Sequence, residues 1–327
     1  MGFQDINPIE KYQFFLDLAF RHAKQRAEDL RSKKLTGDRI KIGIQINLIK
    51  VDVIQATLHG RFSSILKQFP QIDDLDPFYQ GLVKATMDYV EVKQALGAFN
   101  WALKKIKALT QSYKAKIKMN MIYGNFPKLF GEYVGRISSV VKQIKSAFTT
   151  LEEARRVFKA FPNIKTKLPT VSIVGFPNIG KTTLLYKLTG SKPEINEYAF
   201  TTKNINIAYL KKDKKKIQFL DTPGTLNREK ENRIEMQANL ALKHVTDIVV
   251  YIFDLTEPYP MKDQKLLLEK TKECGKPIIL YLSKTDLLKE DQAEAFRKEY
   301  DVTTSPSELK TILLQKLEEH IKPKAKE

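Results

Sequence analysis

The sequence is poor in cysteine. Cys274 is the only one among 327 residues, so no disulfide can form within the chain. A reducing compartment fits that usage, and a cytoplasmic location is expected. Histidine is scarce too, and His22, His59, His244 and His320 show no metal-ligand spacing. No apolar run reaches the roughly 18–20 residues that a membrane helix needs, so no membrane partner is expected. The chain does not begin with basic residues followed by an apolar block, which argues against a signal peptide. Met1-Gly2 hints at myristoylation, but Ile6 stands where that signal needs Ser or Thr. Glycine and proline are sparse through most of the first half, which favours long uninterrupted helices.

Acidic residues fall well short of basic ones, and the formal net charge is +18. By count, residues 1–168 carry 29 Lys and Arg against 15 Asp and Glu, while the rest carry 27 against 23. The excess therefore lies in the front half. A polyanionic partner accounts for it, and so does a lysine-rich solvated surface of the heat-adapted kind. The run WALKKIKALTQSYKAKIKMN concentrates Lys104, Lys105, Lys107, Lys114, Lys116 and Lys118, with Trp101, Tyr113 and Tyr123 nearby. Lysines at helical spacing can follow phosphates, and interleaved aromatics can stack on unpaired bases. Against that stands the ordinary reading of a solvated face over core aromatics.

Apolar residues three and four apart predict helices over about 9–31, 39–69 and 77–118, and one long helix over about 133–161. Residues 1–161 are read as a basic helical bundle, and 162–169, with Pro162 and Pro169, as a linker. From 170 to 327 short apolar runs alternate with helical stretches: 171–175, 204–210, 216–221, 248–253 and 277–282 as strands, with 181–189, 229–243, 261–274 and 307–320 as helices. That alternation predicts a mostly parallel sheet with helices on both faces, an α/β domain behind an all-α one.

The stretch from Gly175 to Thr182 fits G-x-x-x-x-G-K-[ST], with a strand before it and a helix after it. Glycines let backbone N–H groups curl around phosphate oxygens, and the helix points its positive end at the same place. Lys181 would supply a fixed cation, and the Thr182 hydroxyl a Mg²⁺ ligand. A strand ending at Asp221, within DTPG, would bring a second magnesium ligand, and Gly224 would offer an N–H to the γ-phosphate. After a later strand, Ser283-Lys284-Thr285-Asp286 suits base recognition. The Asp286 carboxylate can accept both neighbouring guanine donors, which adenine lacks, and the Lys284 stem can lie along the base.

In that order these segments resemble P-loop GTPases, and most closely the Nog group of Obg-related GTPases. The matching stretches are Gly175–Thr183, EYAFTTK at 197–203, DTPGTLNRE at 221–229, RIEMQ at 233–237 and the helix ahead of the loop. The resemblance covers essentially the whole chain, and its ending soon after the GTPase domain looks archaeal. It implies nucleotide contacts from Gly175, Pro177, Asn178, Ile179, Gly180, Lys181, Thr182 and Thr183. It implies Mg²⁺ on Thr182, Asp221 and Thr202, with Thr201 the alternative to Thr202. Lys181, Thr202 and Gly224 become the catalytic set for hydrolysis of GTP to GDP and phosphate by water. The Thr304 N–H is expected at the guanine carbonyl. Asn178 stands where potassium-stimulated GTPases carry a potassium ligand, so K⁺ is a candidate cofactor beside Mg²⁺; capping of the loop is the alternative.

Two positions depart from the pattern. Ser283 replaces the usual Asn that ties the base loop to the phosphate loop. Thr225 and Leu226 follow Gly224 where Ras-like GTPases carry a water-orienting Gln, so intrinsic turnover is expected to be slow. The resemblance implies a switch in large ribosomal subunit assembly, with rRNA held by the basic bundle and no DNA partner. A regulatory GTPase with a protein effector, a structural RNA-binding factor with negligible turnover, and an ATPase remain as alternatives. Nothing demands a dimer, so a monomer is expected.

Overall fold

A computed structural model of the chain describes residues 3–32, 37–190, 194–197, 204–212, 215–221, 233–256 and 259–320. It divides into two compact units, residues 1–71 with 87–159, and residues 72–86 with 160–327.

The first unit is helical: α1 (Tyr12–Ser32), α2 (Arg39–Gln68), α4 (Tyr89–Met119), α5 (Phe126–Gln143) and α6 (Lys145–Lys159). Its core is a ring cluster of Phe15, Phe62, Phe99 and Phe148, one from each of α1, α2, α4 and α6, with centroids 4.7–5.8 Å apart. The helical stretch expected over 77–118 holds two helices, α3 (Pro77–Thr86) and α4. Asp88 interrupts it, its Oδ1 accepting the N–H groups of Val90 (2.9 Å) and Glu91 (3.0 Å) as the N-cap of α4. The single helix expected over 133–161 is also two. The backbone leaves helical geometry at Ile144 (φ −95°, ψ 19°), with no glycine or proline to mark the place. Both halves keep their apolar stripe inward, from Tyr133, Ile137 and Val141 to Phe148, Leu151 and Phe158.

Glu152 on α6 anchors the segment before α1. Its Oε2 accepts from Ile9 N (3.0 Å) and Arg155 Nε (2.7 Å), and its Oε1 from Arg156 Nε (3.1 Å). Burial alone would raise this carboxyl; the bonds from Arg155, Ile9 and Arg156 overcome it and hold the pKa down to about 2. The contribution to stability is therefore present above the ordinary carboxylate range and is lost as pH falls toward 2.

The second unit is a seven-stranded sheet in the order β2-β3-β4-β1-β5-β6-β7, packed with helices. The strands are β1 (Thr170–Val174), β2 (Glu194–Glu197), β3 (Asn204–Lys212), β4 (Lys215–Asp221), β5 (Ile248–Asp254), β6 (Ile278–Ser283) and β7 (Val302–Thr303). β3 runs antiparallel to β2 and β4, and all other pairs are parallel. β1 and β5 are buried along their whole length, as central parallel strands must be, and both read as unbroken apolar runs apart from their ends and Ser172. The helices are α3 (Pro77–Thr86), α7 (Lys181–Thr189), α8 (Arg233–His244), α9 (Met261–Lys272), α10 (Glu290–Glu299) and α11 (Pro306–His320). The sequence patterning had missed β2, β7 and α10, all of them short.

Residues 72–86 group with this sheet unit although bundle residues flank them in sequence. α3 packs on α8 at Gly81, where a Cβ would press to 2.6 Å from Leu240 Cδ2. The Tyr79 hydroxyl donates to Ile164 O (2.8 Å) and accepts the Ile164 N–H (3.0 Å). The stretch expected as a linker is thus fastened within the unit, with Phe161 and Ile164 buried and Lys165 N donating to Gln218 Oε1 at 3.0 Å.

Candidate functional site

The carboxyl ends of β1, β4, β5 and β6 meet on one edge. The register sets Ile173 beside Asp221, Val174 beside Tyr251 and Asp254 beside Ser283. β1 is the strand whose neighbours, β4 and β5, carry the chain to opposite sides. In open α/β sheets that switch point is where the crevice opens.

The loop from Gly175 to Gly180 leaves β1 there. Gly175 (φ +155°) and Gly180 (φ +95°) hold positive φ, and a Cβ on Gly175 would run into the Ile179 side chain. Asn178 is also left-handed (φ +60°), and its side chain is exposed. Ile179 and Phe176 point inward: Ile179 is fully buried, and Phe176 stacks on Tyr259 at 4.5 Å. These two apolar residues pin the loop from beneath and leave its polar rim outward. α7 then begins at Lys181 and closes on Gly190, left-handed at φ +67°.

Two of the expected residues touch, and a third is tied within its own loop. Thr182 Oγ1 donates to Asp221 Oδ2 at 2.6 Å, so the first turn of α7 is bonded to the end of β4. The same carboxylate oxygen accepts Asn206 Nδ2 at 2.9 Å. Lys181 is buried, and its Nζ donates to Phe176 O at 2.6 Å, within its own loop. Asn206 was not anticipated. It lies directly across from Asp221 in the antiparallel β3–β4 register, a relation that depends on strand pairing rather than on spacing.

The other end is tied to β5. Ser283 Oγ donates to Phe253 O at 3.0 Å, and Lys284, left-handed at φ +54°, sets its Nζ 2.7 Å from Asp254 Oδ2 as an ion pair off the hydrogen-bond direction. The Asp254 side chain is fully buried; its Oδ1 accepts Thr256 N (2.9 Å) and Thr256 Oγ1 (2.6 Å). Gln264 brackets the Asp254 main chain, accepting its N–H at 3.0 Å and donating to its carbonyl at 2.8 Å. Asp254 and Gln264 were also missed. The available signal was a carboxylate ending an otherwise apolar strand, as Asp221 ends β4.

A cavity of about 540 Å³ spans the two ends. It is lined by Asn178, Gly180, Lys181, Thr182, Thr183, Leu184, Lys187, Tyr281, Ser283, Lys284 and Asp286. Gly175, Pro177 and Ile179 support the loop without lining this space. Thr304 follows β7, half-buried, and does not line it either. Thr201, Thr202, Gly224, Thr225 and Leu226 lie outside the described residues. The donor set suits its expected ligands: a hydroxyl and a carboxylate 2.6 Å apart are hard oxygen groups of the kind Mg²⁺ takes. Next to them are a lysine and a helix N-terminus, which suit phosphate.

Among known families, a model described as the NOG1 N-terminal helical domain matches residues 3–165, and one described as a 50S ribosome-binding GTPase matches residues 170–284. An uncharacterized protein of Methanocaldococcus jannaschii is 34% identical over 302 residues, covering 89% of this chain and 84% of its own length. Nucleolar GTP-binding protein 1 of Drosophila melanogaster is 31% identical over 293 residues, covering 88% of this chain and 44% of its own. The chain thus spans less than half of that longer relative. A crystal structure of nucleolar GTP-binding protein 1 from Plasmodium falciparum aligns at 24% identity and a TM-score of 0.34, over 50% of this chain and 76% of that one.

Proposed function

Since the chain belongs to the NOG1 family of GTP-binding proteins, we propose that it hydrolyses GTP slowly as a conformational switch in large ribosomal subunit assembly, holding rRNA on its basic helical unit. The observation that carries the nucleotide part is a cavity lined at one end by Lys181 and Thr182 and at the other by Lys284 and Asp286. Its two ends match the two ends of a guanine nucleotide.

In this reading Lys181 and the backbone N–H groups of the loop orient the phosphates and offset their charge. Thr182 and Asp221, with Thr202 by family resemblance, would hold Mg²⁺, which when bound supplies positive charge at the β- and γ-phosphate oxygens. Asn206 steers the Asp221 carboxylate toward Thr182. Gly224 would offer its N–H to the γ-phosphate, and no covalent intermediate is involved. Asp286 selects guanine, and Thr304 would meet the guanine carbonyl from its backbone. Asn178, exposed at the rim of the loop, is proposed as a ligand for K⁺; equal hydrolysis rates in KCl and NaCl at one ionic strength would remove that role.

Calorimetry with GDP, GTP and ATP tests the core of the proposal. The guanine nucleotides should bind in the presence of Mg²⁺ and ATP should not; ATP binding as tight as GTP would point to an ATPase. Ser283 and Thr225 favour a second reading, an assembly factor that holds nucleotide and barely turns it over. Single-turnover hydrolysis with and without large-subunit particles separates the two. Steep weakening of particle binding with salt supports rRNA over a protein effector. We further propose a cytoplasmic monomer with no DNA or membrane partner; among the described residues no helix is long and apolar enough to cross a membrane.

A further inference from the structure

Between Glu91 and Glu132 the sequence carries eight lysines and no acidic residue. This stretch is α4, a short loop and the start of α5. Where it turns, large apolar side chains stand in the open: Met119 is 78% exposed, Met121 74%, Ile122 62% and Tyr123 57%. The core takes little from them: Tyr113, Ile117 and Phe126 already close this end and are each buried, and Tyr123 adds an edge-to-face contact with the Phe126 ring at 6.0 Å. Nor is the loop slack. Asn120 Nδ2 donates to Ile122 O (2.8 Å), and Asn125 N donates to the same oxygen (3.1 Å). The Phe126 ring sits against Gly43 of α2, where any Cβ would collide with it, which fixes the point at which α5 begins. A built loop that presents four large apolar groups to water is poised for a contact.

The charge around it narrows the partner to a polyanion. Lys104, Lys105, Lys107, Lys116 and Lys118 are all exposed on α4. Trp101, 42% exposed, precedes Met119 by five full helical turns and shares its face, about 27 Å away. Lys104, Lys105 and Lys116 flank the line between them. A lipid surface would meet the tip alone and leave the far lysines and Trp101 unused. A linear polymer can follow the whole face, with phosphates on the lysines and unpaired bases against the apolar groups.

We propose that the face from Trp101 to Tyr123 grips single-stranded RNA, with the α4–α5 tip packing against unpaired bases. The inference rests on the RNA reading above and gives it a location and a mode. The test uses the full chain, a labelled unstructured 20-nucleotide RNA and a duplex of the same length, with anisotropy read at several salt concentrations. Met121→Ser/Ile122→Ser/Tyr123→Ser should weaken single-strand binding about tenfold, leave the salt slope unchanged and leave duplex binding alone. Lys116→Gln/Lys118→Gln should lower the salt slope by about 1.4. Tyr123→Ala alone repeats the tip test and gives up one edge contact with the Phe126 ring. Single-strand binding within twofold of the parent for both tip variants, with salt-dependent binding intact, would overturn the tip and leave the RNA reading standing. A parent chain that binds neither RNA at low salt would bring down the RNA reading itself. Phosphatidylserine vesicles that capture the parent but not the triple variant would replace RNA with a lipid surface and overturn the proposal.

Discussion

The phosphate end and the base end of the cavity are held in opposite ways. At the phosphate end, the groups offered to a ligand are bonded to one another: Thr182 to Asp221, and Lys181 to the carbonyl of Phe176 in its own loop. Those bonds occupy the donors and acceptors that magnesium and phosphate would engage. At the base end, the fastenings run backward into β5, from Ser283 to Phe253 O and from Lys284 to Asp254, and Asp286 is left exposed to meet a base. The first arrangement is a set of internal stand-ins, the second a fixed mount. Substitutions at the phosphate end should therefore act on binding and spare the fold. Those behind the base end should act on both, and less strongly on binding.

The largest effect should come from Lys181→Ala. A charge-assisted contact to phosphate is worth about 1.5–3 kcal/mol, and this lysine would make more than one. GDP affinity should fall at least about 100-fold by calorimetry while the melting midpoint without nucleotide stays within a few degrees. A large drop in that midpoint would mean that the bond to Phe176 O is structural, and the contrast between the two ends would fail.

Asp286→Asn should come next, because it removes one of two acceptors for the guanine donors and replaces it with a donor facing a donor. A loss of about 2 kcal/mol, near 30-fold in GDP affinity, is expected. Affinity for xanthosine diphosphate should rise, since its C2 oxygen can accept from the new amide. If both nucleotides weaken equally, Asp286 does not read the base edge.

Asp254→Asn probes the mount. It removes the negative charge facing Lys284 inside β5 and leaves that ammonium without its counter-ion. Breaking such a pair from one side is costly, but Lys284 is partly exposed and water can compensate. GDP affinity should fall about tenfold with the GDP-to-GTP ratio unchanged, and thermal stability should fall with it. A change in that ratio would place Asp254 in communication with the phosphates instead.

The two ends also differ in how far one-dimensional reading reaches. The phosphate loop was found whole because its residues are consecutive and their geometry is local: glycines at positive φ, then a lysine, then a hydroxyl at the helix start. Asp221 was found because it opens DTPG at a strand end, at a telling distance after the phosphate loop. Asn206 and the Asp254–Gln264 bracket depend on which strand lies beside which, and on a side chain returning from α9 ten residues later. Long-range pairing of that kind leaves no periodic trace. The helical unit shows the same limit: its apolar stripe continues through Ile144 without a change of phase, so the break there was invisible. The break at Asp88 carried a local signal, an N-cap acid before a helical run, which the apolar pattern on both sides masked.

The smallest effect, and the finest test of the comparison, is Ser283→Asn. Serine at this position is turned away from the phosphate loop, its hydroxyl donating to Phe253 O. Yet the backbone is close enough, because a Cβ built on Gly180 would lie 3.8 Å from Ser283 Cβ. Asparagine replaces the hydroxyl with a carboxamide, whose donor and acceptor lie one bond further out. If the base end is a mount that simply lacks a tie to the phosphate end, the added amide should supply one. GDP affinity should then rise about three- to tenfold, near 1 kcal/mol, at little cost to stability, because the lost bond to Phe253 O is roughly replaced. The gain should vanish in the Asp254→Asn background, where the turn that follows residue 283 loses the ion pair at Lys284. Additive behaviour of the two substitutions would mean that the loop keeps its position without Asp254, and that the mount lies elsewhere.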